Sequence, residues 1–365
     1  MKKKLAILAV LLCSVFLFAA CSAMVPTDFS ANWLKNPSSI DDRAYYEKLV
    51  YSISTSTNDL KDSISKVEVD SDNSSLVIVT EKAPPFSHNG QSYTNVYKLT
   101  YTFTLSATYY YVDASGNETK VLSFGGASDT AESNTDDPAS IVREVYFHTV
   151  DKDLQPIYSK TTMFSYSPTS MNGNHVDLYY YSCEIDYDAE CKNATVKLTD
   201  LWGDLSTEDR IISKTLSKAA TNPIDVKIPD LQKNYTFIDD AQLFFAARGI
   251  NYSENSSTTL ATTAISTALN TLNATLSCSE IIESKGNFLL DGTQLSDQSI
   301  SCANVSISLS GNGSNNGPAH KMLIAQKTSD TRSDYYALPL RIESPSLTFG
   351  MVYTLTSATH TEEAE

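Results

Sequence analysis

The sequence predicts a mainly β protein: an antiparallel β-sandwich-like domain followed by a smaller α+β domain. Three observations carry this. The segment 97–111, YKLTYTFTLSATYYY, alternates apolar and polar residues almost without a break. Short alternating runs joined by turn residues continue to about residue 200. After Trp202 the apolar spacing changes from two to three or four. Strict alternation marks a half-buried strand, and many strands without intervening helices mark an antiparallel sandwich or barrel.

The N-terminus differs from the rest. Met1-Lys2-Lys3-Lys4 is basic, and Leu5 to Ala20 is apolar except for Cys13 and Ser14. A membrane span wants about 20 apolar residues, so this run reads as an export signal. Its end, Phe18-Ala19-Ala20-Cys21, resembles the lipobox of bacterial lipoproteins, with Phe18 where Leu is commoner. The resemblance covers only this leader. It implies cleavage before Cys21, a diacylglycerol on its sulfur, and attachment to the cell membrane or outer membrane, facing away from the cytoplasm. Cys13 follows Leu11-Leu12, which are too bulky for such a cleavage site, and leaves with the leader. Residues 1–20 are then the signal peptide and 21–39 a tether.

Loss of Lys2, Lys3 and Lys4 takes the formal charge from −16 to −19. A surface so acidic argues against nucleic acid and against electrostatic attraction to anionic lipid.

Residues 40–202 form the expected sandwich-like domain. Within 66–80, KVEVDSDNSSLVIVT reads as a hairpin. The long strand 97–111 turns at 113–117 and returns as TKVLSF. The segments 141–150 and 156–166, then 176–186 and 194–200, add two more hairpins. Between them, 125–140 is small, polar and acidic, and reads as a disordered loop.

Residues 203–356 form the expected α+β domain. A short helix is expected from about Ser206. A second is capped by Asp239 and ends at Gly249. The main helix is expected over 258–276, where Leu260, Ala261, Ala264, Ile265, Ala268, Leu269 and Leu272 repeat at helical spacing. Strands resume after residue 286. GNGSNNGP, 311–318, reads as a flexible loop, and 357–365 as a disordered acidic tail.

Four cysteines remain after processing: Cys183, Cys191, Cys278 and Cys302. An exported chain with an even number permits disulfides, and neighbour pairing gives Cys183–Cys191 and Cys278–Cys302. Between the first two, Glu184, Asp186, Asp188 and Glu190 alternate. They read first as a solvated acidic hairpin and second as oxygen ligands for Ca2+. No other cofactor is called for. The 21 tyrosines outnumber tryptophan by far, and in the triplets 109–111 and 179–181 the central rings, Tyr110 and Tyr180, should face opposite to their neighbours. Tyrosine joins a large apolar ring to a polar tip, so these two are candidates for an aromatic binding surface.

No catalytic motif is present: no His-Glu-x-x-His pair, no Gly-x-Ser-x-Gly elbow, no phosphate-binding loop. The expected function is therefore a non-catalytic, lipid-anchored envelope protein binding a glycan or a protein. The alternatives are a structural envelope component and a hydrolase of envelope polymers. The last would need two converging carboxylates.

Overall fold

The computed structural model describes residues 23–24, 46–56, 64–94, 96–112, 115–126, 133–150, 153–168, 176–201, 223–228, 237–264, 270–311, 314–315, 320–326, 337–345 and 350–360. The lipobox with Cys21, the expected helix from Ser206 and the boundary near residue 203 lie outside these.

Among the described residues one continuous sheet has 19 strands, of which thirteen longer ones form its main course. They are β1 (Tyr46–Ser56), β2 (Ser75–Lys82), β3 (Val96–Leu105), β4 (Ala139–Val150), β5 (Asp153–Pro168), β6 (Val176–Tyr187) and β7 (Asn193–Asp200). Then come β8 (Ser256–Ala264), β9 (Asn270–Gly286), β10 (Gln298–Gly311), β11 (His320–Ala325), β12 (Pro339–Ser344) and β13 (Gly350–Thr359). Their spatial order is β7-β6-β5-β4-β3-β2-β1-β13-β12-β11-β10-β9-β8, and every neighbouring pair is antiparallel. The first and last strands meet in the middle, with Lys48 opposite Thr359. At the β7 edge, Ile224–Lys227 adds antiparallel. At the β8 edge, Phe237–Ile238 and Ala23–Met24 add parallel.

Alternation produces these strands, as the sequence predicts. In β1, Leu49, Tyr51 and Ile53 point inward; in β3, Leu99, Tyr101, Phe103 and Leu105 do. The hairpins 141–166 and 176–200 form as expected, as β4–β5 and β6–β7.

Two expected strands divide differently. The run 97–111 breaks at Ser106. Beyond it, Ala107–Val112 joins a second, four-stranded sheet with Ile64–Val69, Glu118–Phe124 and Ser133–Thr135. The 66–80 hairpin does not form either: Ile64–Val69 pairs with Ala107–Val112, whereas β2 pairs in the large sheet. A serine corner explains both. Asp70 N donates to Ser106 O at 2.9 Å, Ser106 N donates to Ser74 Oγ at 2.9 Å, and Ser106 Oγ donates to Asn73 O at 3.3 Å. These bonds satisfy buried backbone groups where both chains leave one sheet for the other. Ser133–Thr135, inside the expected disordered loop, is a strand parallel to Glu118–Phe124.

The α+β second domain is not found. Among the described residues the only α-helix is α1 (Leu243–Ala247), preceded by a 3-10 turn at Asp240–Gln242. The expected Asp239 cap sits on the 3-10 turn and not on α1, whose N-cap Gln242 makes no capping side-chain bond; Arg248 N and Gly249 N donate to Phe245 O and Ala246 O at its end. Of the stretch expected as a long helix, 258–264 lies in β8 and 270–276 in β9, while Ile265, Ala268 and Leu269 lie outside the described residues. Leu260, Leu272, Ala274, Leu276 and Cys278 all point inward. Steps of four fit both a helix face and a strand face, because four is a multiple of two. The dense Thr content, poor in helices and good in strands, favours the strand. Strand structure also replaces part of the expected loop at 311–318, as Ser314–Asn315, and part of the expected tail, where β13 runs to Thr359.

One hydrophobic cluster takes side chains from both sides of residue 203, from Leu49 to Ala358. The helix lies within it. Phe245 packs on Phe147 at 5.6 Å between ring centres, and Ala246 and Ala247 are fully buried. Each end of this inner segment is held by charge. At its start, Asp239 accepts from Ser159 Oγ and Tyr187 OH, both at 2.6 Å, and from Ala241 N at 2.9 Å, while Arg143 reaches Asp240 at 3.2 Å. At its end, Arg248 meets Glu47.

Candidate functional site

The antiparallel registers align side chains into rows on the outer face. One row runs directly across the sheet: Glu81 on β2, Lys98 on β3, Tyr146 on β4, Tyr158 on β5, Asp186 on β6 and Thr195 on β7. The next row alternates in charge: Glu144, Lys160, Glu184 and Lys197. Inward neighbours such as Val145 and Phe147 belong to the core, so alternation alone sends Tyr146 and Tyr158 outward.

A small hairpin lies over this row. Phe86–His88 and Gln91–Tyr93 form a separate two-stranded sheet. Its turn is Asn89-Gly90, with φ of 50° and 77°. Both central residues of such a turn need positive φ, which Asn tolerates and Gly adopts freely. The hairpin places Phe86 on Tyr146, with ring centres 4.4 Å apart and planes 9° apart. His88 stacks on Phe86 at 5.5 Å and lies 4.9 Å from Tyr158. Tyr93 meets His148 edge-on at 5.6 Å. Lys98 sits 5.6 Å from the Tyr146 ring centre, a cation–π contact. The result is a half-buried column of near-parallel rings, Tyr146, Phe86 and His88, with Tyr158 beside it.

Charges frame the rings. His88 pairs with Asp186, Lys98 with Glu144, and Lys160 with Glu184 at 3.4 Å. Burial opposes the charged form of Lys98, but the hydrogen bond and charge of Glu144 outweigh it and raise its pKa. Partial burial, with Glu184, Asp186 and Glu144 nearby, pushes the Tyr158 phenol up to about 12. Burial lowers the pKa of His148, against the Gln155 hydrogen bond, which favours its charged form. These groups present apolar ring faces, fixed charges and hydrogen-bonding tips, without an activated nucleophile.

The residues singled out from sequence fall elsewhere or act differently. Glu184, Asp186, Asp188 and Glu190 do not converge. Glu184 and Asp186 take Lys160 and His88 on the outer row. Asp188 accepts from Lys192 N at 2.7 Å and Asn193 Nδ2 at 2.6 Å to shape the turn, and Glu190 pairs with Lys192. Among the described residues no group of three His, Cys, Asp or Glu side chains is placed to hold a metal ion.

The expected disulfides are absent; all four thiols are free. Cys278 lies opposite Val305, three residues along β10 from Cys302. At about 3.3 Å per residue that separation exceeds what a disulfide spans. Cys183 sits four residues before Tyr187, the last residue of β6, whereas Cys191 is in the turn beyond it. Burial first, then the charges of Asp240 and Asp239, push the Cys183 thiol up to about 12.

Tyr110 does not face opposite to its neighbours in an exposed way: Tyr109, Tyr110 and Tyr111 are all buried. A register shift between Tyr109 and Tyr110 breaks the alternation there. Tyr110 hydrogen-bonds Glu68, which with burial raises its phenol to about 12, and Lys66 lies 5.0 Å from its ring centre. Tyr180 is half-buried and meets Phe164 edge-on at 5.3 Å, while Tyr181 is buried, so this pair does split between faces.

Sequence reasoning missed Phe86, His88, Tyr146 and Tyr158. The signal for the first two was SHNGQSY, an Asn-Gly turn flanked by aromatic residues. Tyr146 and Tyr158 had no local signal, since only the β4–β5 register sets them opposite each other.

No family model matches this chain, and no curated protein does. Among solved structures, one titled a β-barrel-like protein of Domain of Unknown Function DUF1849 from Brucella abortus superposes on it. The superposition covers 88% of this chain and 99% of that one, with a TM-score of 0.40 and 10% sequence identity.

Proposed function

We propose that this chain is a lipid-anchored, extracytoplasmic protein of a bacterial envelope that binds a glycan without transforming it. The lipobox-like Phe18-Ala19-Ala20-Cys21 supports the anchor, with the membrane as partner through the lipid on Cys21. The observation that carries the binding reading is the ring column of Tyr146, Phe86 and His88 beside Tyr158. A sugar presents an apolar C–H face and a rim of hydroxyls. The rings meet the first; the adjoining carboxylates, lysines and tyrosine hydroxyls meet the second.

Replacing Cys21 by Ala should move the protein from the membrane fraction to the soluble one. On a glycan array, Tyr146→Ala with Tyr158→Ala should weaken binding by about fivefold or more, given ~0.5–1.5 kcal/mol for each aromatic contact. Unchanged glycan affinity in the double variant would remove the site. Crosslinking to one abundant, stoichiometric envelope protein, with no glycan bound, would favour the structural alternative.

A further inference from the structure

The ring faces that a sugar would use are already in contact with the protein itself. Phe86 covers Tyr146 with ring centres 4.4 Å apart and planes 9° apart. Lys98 lies 5.6 Å from the same ring centre, and His88 lies 4.9 Å from Tyr158. A sugar stacks on an aromatic face in van der Waals contact, so it competes with Phe86 for one surface of Tyr146.

Phe86 and His88 belong to one small hairpin whose attachment to the sheet is thin. β2 and β3 pair as far as Lys82 and Tyr97, and Ala83 N adds one bond to Val96 O at 2.9 Å. Pro84-Pro85 then ends the ladder, because proline has no N–H to donate and holds the residue before it extended. Phe86–His88 and Gln91–Tyr93 form a sheet of their own. A lone two-stranded hairpin is marginal in water. This one is held down by side chains: the Phe86–Tyr146 stack, the Tyr93–His148 edge contact and the His88–Asp186 bond.

Beneath it lies Ile157. The β4–β5 register sets Tyr158 opposite Tyr146 and Pro156 opposite Phe147, so Ile157 is the extra residue of a bulge. It is 2% exposed and clusters with Ala83 and Val96. Phe86, Tyr93 and Tyr146 pack over this cluster.

We infer that the hairpin 84–93 is a lid on the binding site: it swings on the Pro84-Pro85 link, parts Phe86 from Tyr146 and admits a sugar ring between them. This rests on the glycan reading above for its ligand. Lifting the hairpin gives up one ring stack, one edge contact, the His88–Asp186 bond and the cover over Ile157, and breaks no rung of the large sheet. An entering sugar restores the stack on Tyr146, and Phe86 closes on its other side. The closed hairpin keeps Tyr146 from exposing a bare apolar face when no ligand is bound.

Two measurements on the full chain test this, both in a Cys191→Ser background, since the other three described thiols are buried. In the first, Ile157→Cys meets a thiol reagent under native conditions and labelling is read peptide by peptide. Position 157 should label at least about tenfold faster than Cys278 and Cys302, which lie in the main core and need a larger opening. Labelling no faster than theirs would overturn the lid. In the second, His88→Cys with Asp186→Cys is joined by a short bismaleimide, which pins the hairpin to β6. Glycan affinity should fall at least about tenfold relative to the same protein unjoined, because the open state is no longer populated. Unchanged affinity after joining would overturn the lid and leave the glycan site standing. Fast labelling at 157 in a protein that binds no glycan would remove the sugar as occupant, and the glycan reading with it, while the hinge motion stands.

Discussion

Arg248 and Glu47, 201 residues apart in sequence, meet in a two-pronged ion pair whose side chains are each only 4% exposed. The bonds are 2.5 and 2.8 Å, and Arg248 Nε also donates to Ala337 O at 2.9 Å. The pair ties the end of the inner helix to the strand that begins the large sheet. On the far side of Glu47 stands His360, 3.4 Å away and itself 3.2 Å from Asp291. Burial alone would raise the Glu47 pKa. The charge of Arg248 and the hydrogen bonds from His360 and Arg248 overcome it and hold the group at about 2, against 4.5.

Breaking this pair leaves an uncompensated buried cation. Glu47→Gln should therefore cost about 3–5 kcal/mol, read as a lowered urea midpoint at unchanged slope. Because folding lowers the Glu47 pKa, its stabilisation is present above about pH 4.5 and is lost as pH falls through about 2. The acid limb of the stability profile should be shallower in the variant than in the parent.

Asp239 has the opposite sign. Burial, then the charge of Asp240, raise its pKa from 3.8 to about 6, against the hydrogen bonds from Ser159, Tyr187 and Ala241. The native state holds this proton more tightly than the unfolded chain does. Its contribution to stability is present below about pH 4 and lost as pH rises through about 6. The stability gap between the parent and Asp239→Asn should widen as pH falls from 7 to 4.5. A gap independent of pH would refute this role for Asp239.

Gly125 faces the serine corner with φ of 70°, and a Cβ there would lie 2.0 Å from Ser106 Oγ and 2.6 Å from its Cβ. Gly125→Ala should destabilise by roughly 2 kcal/mol or more, combining left-handed strain with a clash. Adding Ser106→Ala should not restore stability, because the Cβ contact remains; full rescue in thermal melts would contradict the geometry.

The free thiols give a mass test. Alkylation of the unfolded, unreduced mature chain should add label to all four of Cys183, Cys191, Cys278 and Cys302. Under native conditions Cys191 should react first, being half-buried while the others are buried. Only two labels on the unfolded chain would mean that a disulfide forms.

The β class, the β4–β5 and β6–β7 hairpins and the Asp239-capped 3-10 turn were legible because each has a local cause: alternation, short turns, or a capping side chain. The 258–276 stretch was misread because Leu260, Leu272 and Leu276 satisfy both periodicities. Its burial on alternate positions depends on β10 and on strands further along the sheet. The aromatic site was invisible for a related reason. Tyr146 and Tyr158 are 12 residues apart, and only the antiparallel register makes them neighbours.

The amino-acid order alone determined that the described part of the chain is built mainly of strands. Period and composition act over a few residues and need no partner. Only the tertiary structure decided which strands pair, where Ser106 turns the chain between sheets, and that Cys278 and Cys302 stand too far apart to join. It also brought Glu47 to Arg248 and Phe86 to Tyr146. These depend on groups distant in sequence competing for one buried interior, and no local pattern records which of them will meet there.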